Sequence, residues 1–323
     1  MNMRKFAVMA AAAAMLAGAP VHAAEKVTYL LPAPAFLPAF APWVIAKQRG
    51  YYEKEGLDVD FQTARGGVDV AKQVGAGNAV VGGAVGDTPL IVRLNDIPVK
   101  AVAVLGGGSL AVLAFTKQSG ITGPKDLKGK TVTVLSYQDT TYYAMQGMLA
   151  TVGLTKNDLK IEAAGPANSW KLWSAGKADA IVISPDIVAQ GIEAGLKDVT
   201  IVPVNQYFRS MAQAILASDQ TIKERPALIK SLVQATLRGM KDIMDNPKTA
   251  AADFVKAFPQ QAEHLAWVEQ SMELYDKFVY AGQPKLGVMD EARLASLQKF
   301  YVEQGIIEKA LPVKDHYTNQ FVE

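Results

Sequence analysis

From residue 27 to residue 202, short apolar runs rich in β-branched residues alternate with segments of helical pattern, which confines the chain to α/β architectures. Strands are predicted over 27–31, 57–62, 79–81, 99–105 and 110–116. A second series opens at Asp126, with strands over 131–135, 159–163, 179–183 and 199–202. Helices fill the gaps, and Pro42 sits where one starts while Gly50 sits where it stops. After about Ala217 the pattern turns to helices alone, over 226–245, 247–258, 261–278 and 291–304. The alternation predicts parallel sheets with helices on both faces, and the helical third is added to one of them.

A removable leader precedes this pattern. Arg4 and Lys5 supply its positive start, residues 6–19 an alanine-rich apolar run, and Val21-His22-Ala23 the small residues of a cleavage site. The apolar run is shorter than the roughly 20 residues that span a bilayer. The export signal is therefore read as 1–23, leaving a mature protein in the periplasm that is not embedded in the membrane. Half of the residues are hydrophobic and a fifth are charged, a globular composition with room for two domains. The leader takes two of the 33 basic residues and none of the 31 acidic ones, so the remainder is formally neutral. No basic stripe is visible, and nucleic acid is not an expected partner. The absence of cysteine excludes disulfides and a lipidated cysteine after the leader. His264 and His316 stand apart from any second ligand, so no metal is expected. Nucleotide-binding and serine-hydrolase motifs are missing, and no cofactor is expected.

Ligands of open α/β sheets bind beyond the carboxyl ends of the strands, where loops run into helix starts. Several of these junctions carry more chemistry than a turn requires. The first strand leads into a loop holding Phe36 and Phe40. The second is followed by Arg65-Gly66-Gly67, where Arg65 reads either as a clamp on a carboxylate or sulfonate or as a solvated loop arginine. Asp87 and Thr88 follow the third, and Ser109 ends a glycine run that permits close backbone approach. The densest junction is Ser136-Tyr137-Gln138-Asp139-Thr140-Thr141-Tyr142-Tyr143. Its hydroxyls and free N–H groups at a helix start suit an anion, and the same groups serve equally to cap the helix. Tyr137, Gln138, Thr140, Thr141 and Tyr142 are the candidates there, with one of Tyr142 and Tyr143 expected to face inward. Asn168 and Trp170 open a later helix, Trp170 as a possible stacking wall, while Trp173 reads as core. Asp186 either binds an amine or caps the helix it starts, and Arg209 competes with Arg65 as the clamp. Trp267, Tyr275, Phe278 and Tyr280 read as packing.

One long motif is Ala41-Pro42-Trp43-Val44-Ile45-Ala46-Lys47-Gln48-Arg49-Gly50-Tyr51-Tyr52-Glu53-Lys54-Glu55-Gly56-Leu57-Asp58-Val59. Shorter ones are Gly82-Gly83-Ala84-Val85-Gly86-Asp87-Thr88-Pro89, Asp126-Leu127-Lys128-Gly129-Lys130 and Gly176-Lys177-Ala178-Asp179-Ala180. In this order, over about residues 26–215, the chain resembles the extracytoplasmic solute-binding proteins of ABC importers, in the branch covering nitrate, sulfonate and taurine, and thiamine-precursor pyrimidines. The resemblance implies a type II periplasmic binding protein fold, with two α/β lobes, two crossing segments and the ligand in the interlobe cleft. Crossings are expected near 115–117 and 211–216, so that lobe one holds 24–115 plus 214–323 and lobe two 116–213. It also implies a monomer that captures a small molecule and hands it to the permease subunits without covalent chemistry. The family's enzymatic relatives, which make a pyrimidine, carry a cysteine-rich signature that cannot exist here. An exported enzyme or a sensor on the same fold are the competing classes, and two mature histidines leave little material for a nucleophile and its base. The expected ligand is a small organic anion, an aromatic carboxylate or sulfonate. An uncharged pyrimidine stacked between aromatics is the alternative.

Overall fold

The computed structural model describes residues 23–322, so the predicted export leader lies outside the described residues apart from Ala23. The first series forms β1 (Glu25–Leu31), α1 (Ala41–Gln48), α2 (Tyr51–Lys54), β2 (Leu57–Thr63), α3 (Gly67–Gly75), β3 (Val81–Val85), α4 (Thr88–Val92) and β4 (Val99–Val104). The second forms β5 (Val112–Thr116), β6 (Thr131–Val134), α5 (Thr140–Thr151), β7 (Lys160–Ala163), α6 (Gly165–Ser174), β8 (Ala180–Ile183), α7 (Pro185–Glu193) and β9 (Val199–Pro203). The chain ends with β10 (Gln213–Ser218), α8 (Asp219–Glu224), α9 (Pro226–Asp245), α10 (Pro247–Ala257), α11 (Leu265–Tyr275) and α12 (Glu291–Glu303).

Local chemistry accounts for most of these elements. In β2, Leu57 and Val59 are buried while Asp58 and Asp60 are exposed, the period-two pattern of a half-covered strand. Helix α1 starts with Pro42 in its first turn and buries Trp43, Val44, Ile45 and Ala46. It packs on α9, and the approach is close because α9 carries Gly239, where a Cβ would collide with the Pro42 carbonyl. Along β5, Leu113 and Phe115 join a core with α5, while Val112 and Ala114 join another with Trp173 and Ile187. That sheet is thus covered on both faces, as the alternating elements predicted.

The strand orders are β2-β1-β3-β10-β4 and β7-β6-β8-β5-β9. They correct three expectations. Neither sheet is wholly parallel, because β10 runs antiparallel between β3 and β4, and β5 antiparallel between β8 and β9. Residues 115–117 are not a crossing: Phe115 and Thr116 pair with β9 inside the second sheet, and the chain changes sheet over 105–111. Likewise the return lies over 204–212, while most of the expected 211–216 segment is the middle strand β10. The second sheet is thus built from one continuous stretch, β5 to β9, while the first is completed by β10 after the chain returns, which no pattern local to those residues reveals. The third strand also shifts, from the expected 79–81 to Val81–Val85, since Gly82 and Gly83 hide its apolar character. They are needed there, because a Cβ on Gly82 would run into Val70 and one on Gly83 would stand 3.2 Å from the Trp43 ring. The C-terminal helices share a core with the first sheet, and α11 also packs against α7 beside the second. No helix among the described residues is long and apolar enough to cross a membrane.

Candidate functional site

A cavity of about 440 Å³ lies between the two sheets, and helix starts from both sides converge on it. From the first half come Phe40, the Gly66-Gly67 start of α3, Ala84 and Val85 at the end of β3, and Thr88 at the start of α4. From the second come Ser136, Gln138 and Thr140 before and within the first turn of α5, Gly165 and Pro166 at α6, and Ser184 and Asp186 at α7. This is the arrangement that strand–helix junctions produce when two open sheets face each other. Much of the wall is apolar, from Leu37, Val68, Ile91, Leu110, Leu135 and Ile187. An apolar lining with a few fixed polar groups is the usual composition of a small-molecule pocket.

The charged groups on the wall are two acids, Asp139 and Asp186; among the described residues no lysine, arginine or histidine lines it. Asp139 caps α5 by accepting from the Thr141 N–H at 2.9 Å, and the Thr141 hydroxyl also donates to it. Desolvation raises its carboxyl above the ordinary range. Asp186 is 1% exposed and accepts from the Tyr275 hydroxyl at 3.0 Å, while its backbone carbonyl accepts from Trp267 Nε1 at 2.8 Å. Burial raises its carboxyl as well, and the hydrogen bonds from Ser184 and Tyr275 act against that. Gln213, on β10, is buried, and its side-chain oxygen has no partner in the protein. A buried acceptor left open on a cavity wall is a place for a ligand's donor or a water.

Of the residues singled out from sequence, Phe40, Thr88, Gln138, Thr140 and Asp186 line the cavity together. Asp87 and Thr141 stand behind it around a smaller gap, with Ser210, to which the Ser109 hydroxyl is bonded at 2.5 Å. Asp87 is fully buried, takes the Tyr301 hydroxyl on one oxygen and leaves the other unpartnered. Burial pushes its carboxyl up to about 6. The remaining candidates lie elsewhere. Phe36 and Tyr137 are exposed, and the Tyr137 hydroxyl donates to the Ile161 carbonyl at 3.1 Å. Tyr142 is buried and Tyr143 half-buried, so the helix turns the first inward. Asn168 is exposed, and Trp170 packs at the edge of the core beside α6 and α7 under the Lys171 ammonium. Arg65 is exposed outside the cavity lining, and Arg209 pairs with Asp290 at 2.9 Å away from it. Neither arginine is among the residues that line the cavity.

Besides the apolar wall, three lining residues with polar side chains escaped the sequence reading: Ser184, Gln213 and Tyr275. Gln213 is on the strand read as a crossing. Tyr275 looked like helix packing, and the signal that it differs is the wider-wound turn at Asp276–Tyr280 directly after it.

Two α/β lobes joined by two crossings, with helix starts of both facing one cavity, define the two-lobed fold of the periplasmic binding protein type. The NMT1/THI5 like family model matches residues 37–250, and the chain belongs to that family. Among relatives, it is 24% identical over 296 residues to the riboflavin-binding protein RibY of Chloroflexus aurantiacus, covering 88% of this chain and 82% of that one. It is also 30% identical over 112 residues to a 4-amino-5-hydroxymethyl-2-methylpyrimidine phosphate synthase, THI11, of Saccharomyces cerevisiae, covering 33% of this chain and 32% of that one. The fold is shared with the periplasmic aliphatic sulphonate binding protein SsuA of Escherichia coli, at a TM-score of 0.72, 14% identity and coverage of 91% and 92%.

Proposed function

We propose that this protein is the periplasmic binding component of an ABC importer and captures an uncharged, flat nitrogen heterocycle of the pyrimidine or flavin type. The observation that carries the choice is the wall chemistry: a buried and a half-buried carboxylate, an open amide oxygen and no basic side chain among the described residues. An organic anion, the first expectation from sequence, would meet Asp139 and Asp186 with no cation to offset them, and like charges disfavour one another strongly where water is excluded. A heterocycle with N–H groups reverses the sign of that interaction, since its donors match acceptors that otherwise stay open. The relative named for riboflavin binding spans most of this chain, which adds support to the same class. Loop closure over the ligand would commit it to the cleft before delivery to permease subunits.

A thermal-shift panel of 4-aminopyrimidines and riboflavin against taurine, alkanesulfonates, nitrate and benzoate tests this. A ligand at 100 times its dissociation constant stabilises the folded state by about 2.7 kcal/mol, a shift of several degrees. Response to sulfonate, nitrate or carboxylate with none to the heterocycles would overturn the reading. With a responding heterocycle, Asp186→Asn is expected to weaken binding about 10- to 100-fold, the range of a charge-assisted hydrogen bond. Arg65→Ala and Arg209→Ala are expected to leave calorimetric affinity unchanged, because neither side chain faces the cavity.

A further inference from the structure

Arg293 lies in the first turn of α12 with 5% of its surface exposed. A buried guanidinium ordinarily faces a carboxylate. This one makes no ion pair among the described residues and instead bonds to the two segments that join the lobes. Its Nε donates to the Arg209 carbonyl at 3.1 Å, and Nη2 donates to Asn205 Oδ1 at 2.9 Å and to the Ser210 carbonyl, all in the second crossing. In the first crossing, Nη1 donates to the Gly107 carbonyl and Nη2 to the Gly108 carbonyl at 2.9 Å. Asp290 and Asp87 attract the group from farther off, Arg209 repels it, and burial pulls its pKa down to about 10.

The opposite side of the first crossing is equally confined. A Cβ on Gly108 would collide with the Phe278 carbonyl, and one on Gly107 would come within 2.7 Å of the Ala281 and Gly282 backbone. The glycines are therefore pressed between the wide turn after α11 and the Arg293 fork. The Ser109 and Ser210 hydroxyls tie the two crossings directly at 2.5 Å.

We infer that Arg293 is the positioning residue of ligand capture: by holding carbonyls of both crossings on one rigid fork it makes them a single hinge, which sets how the two walls of the cavity meet. The planar guanidinium suits this because its five donors keep fixed directions, so neither crossing can turn without the other. A lysine would keep the charge and lose the fork. The inference does not depend on which ligand the cavity takes.

The absence of cysteine allows spin labels to be placed at will. Lys72→Cys on α3 and Lys171→Cys on α6 put them on exposed positions of helices whose starts line the cavity from opposite lobes. Pulsed dipolar distances are then measured on the full mature chain without ligand. Arg293→Lys is expected to broaden the distance distribution about twofold, and Asn205→Ala, which removes one acceptor, to broaden it less, as befits a loosened hinge. Leu297→Ala, one turn along α12 in the core of the same lobe, lowers stability while leaving the Arg293 fork intact and is expected to leave the distribution as it was. An unchanged distribution in Arg293→Lys overturns the inference. Equal broadening in Leu297→Ala overturns it too, since the effect would then follow from stability alone.

Discussion

Asp87 illustrates what burial does to a single carboxyl. It sits at the start of α4 with no solvent exposure, one oxygen on the Tyr301 hydroxyl and the other without a partner. In an unfolded chain an aspartate ionises near 3.9, whereas here burial pushes the carboxyl up to about 6. Between those values the folded state keeps a proton that the unfolded state has released, so stability falls as pH rises through the window. The shift corresponds to about 3 kcal/mol, present below pH 4 and lost above about pH 6. His316 works in the opposite direction. It is buried, bonded to Gln298 at 2.9 Å, and held down to about 4, so it costs stability as pH falls below its ordinary value. Comparing Asp87→Asn with the parent by urea unfolding from pH 4 to 7.5 isolates the aspartate. The variant is expected to gain relative to the parent as pH rises, and parallel curves would show that Asp87 ionises normally.

At the scale of elements, α1 lies close against α9. This joint exists because Gly239 lets the Pro42 carbonyl and the Ala46 backbone reach the α9 axis. The same joint is reinforced at one end, where Arg49 pairs with Asp242 at 2.7 Å; Arg49 also pairs with Asp253 of α10 at 2.9 Å, and the Tyr52 hydroxyl of α2 meets Thr236 of α9 at 2.7 Å. A methyl group at 239 raises helix propensity by about 1 kcal/mol yet must push the two helices apart. Overpacking of this kind costs about 1–3 kcal/mol, so Gly239→Ala is expected to lower the urea midpoint with an unchanged m value. A rise in midpoint would mean that the helices separate without cost. Because α1 follows directly on Phe40, movement of this joint also reaches the cavity wall.

At the scale of the whole molecule, two lobes face one cavity. The two sheets are linked over 105–111 and 204–212, and α11 adds a third contact by packing on α7 and holding Asp186 through Tyr275 and Trp267. A ligand that touches both walls favours the closed arrangement by its differential contacts. Small-angle scattering is expected to show a smaller radius of gyration with a heterocycle that responds in the thermal-shift panel than without it. Identical curves would show that the cavity fills without closure.

What the sequence alone determined follows from interactions between near neighbours. The period-two pattern of β2, Pro42 and Gly50 around α1, and the hydroxyl-rich start of α5 report backbone preferences that act within a turn or a strand. They sufficed for two βα series and a helical C-terminal third, and five of the residues singled out at helix starts line one cavity. The order of strands was another matter. The placement of β10 between β3 and β4, and of β5 between β8 and β9, depends on partners far along the chain. That order decides which loops meet. It leaves Arg65 and Arg209 outside the cavity, turns Gln213 and Tyr275 into its wall, and sets Arg293 between the crossings. A side chain's type announces what it can bind, but its neighbours are chosen by long-range pairing and packing, and those exist only once the chain has folded.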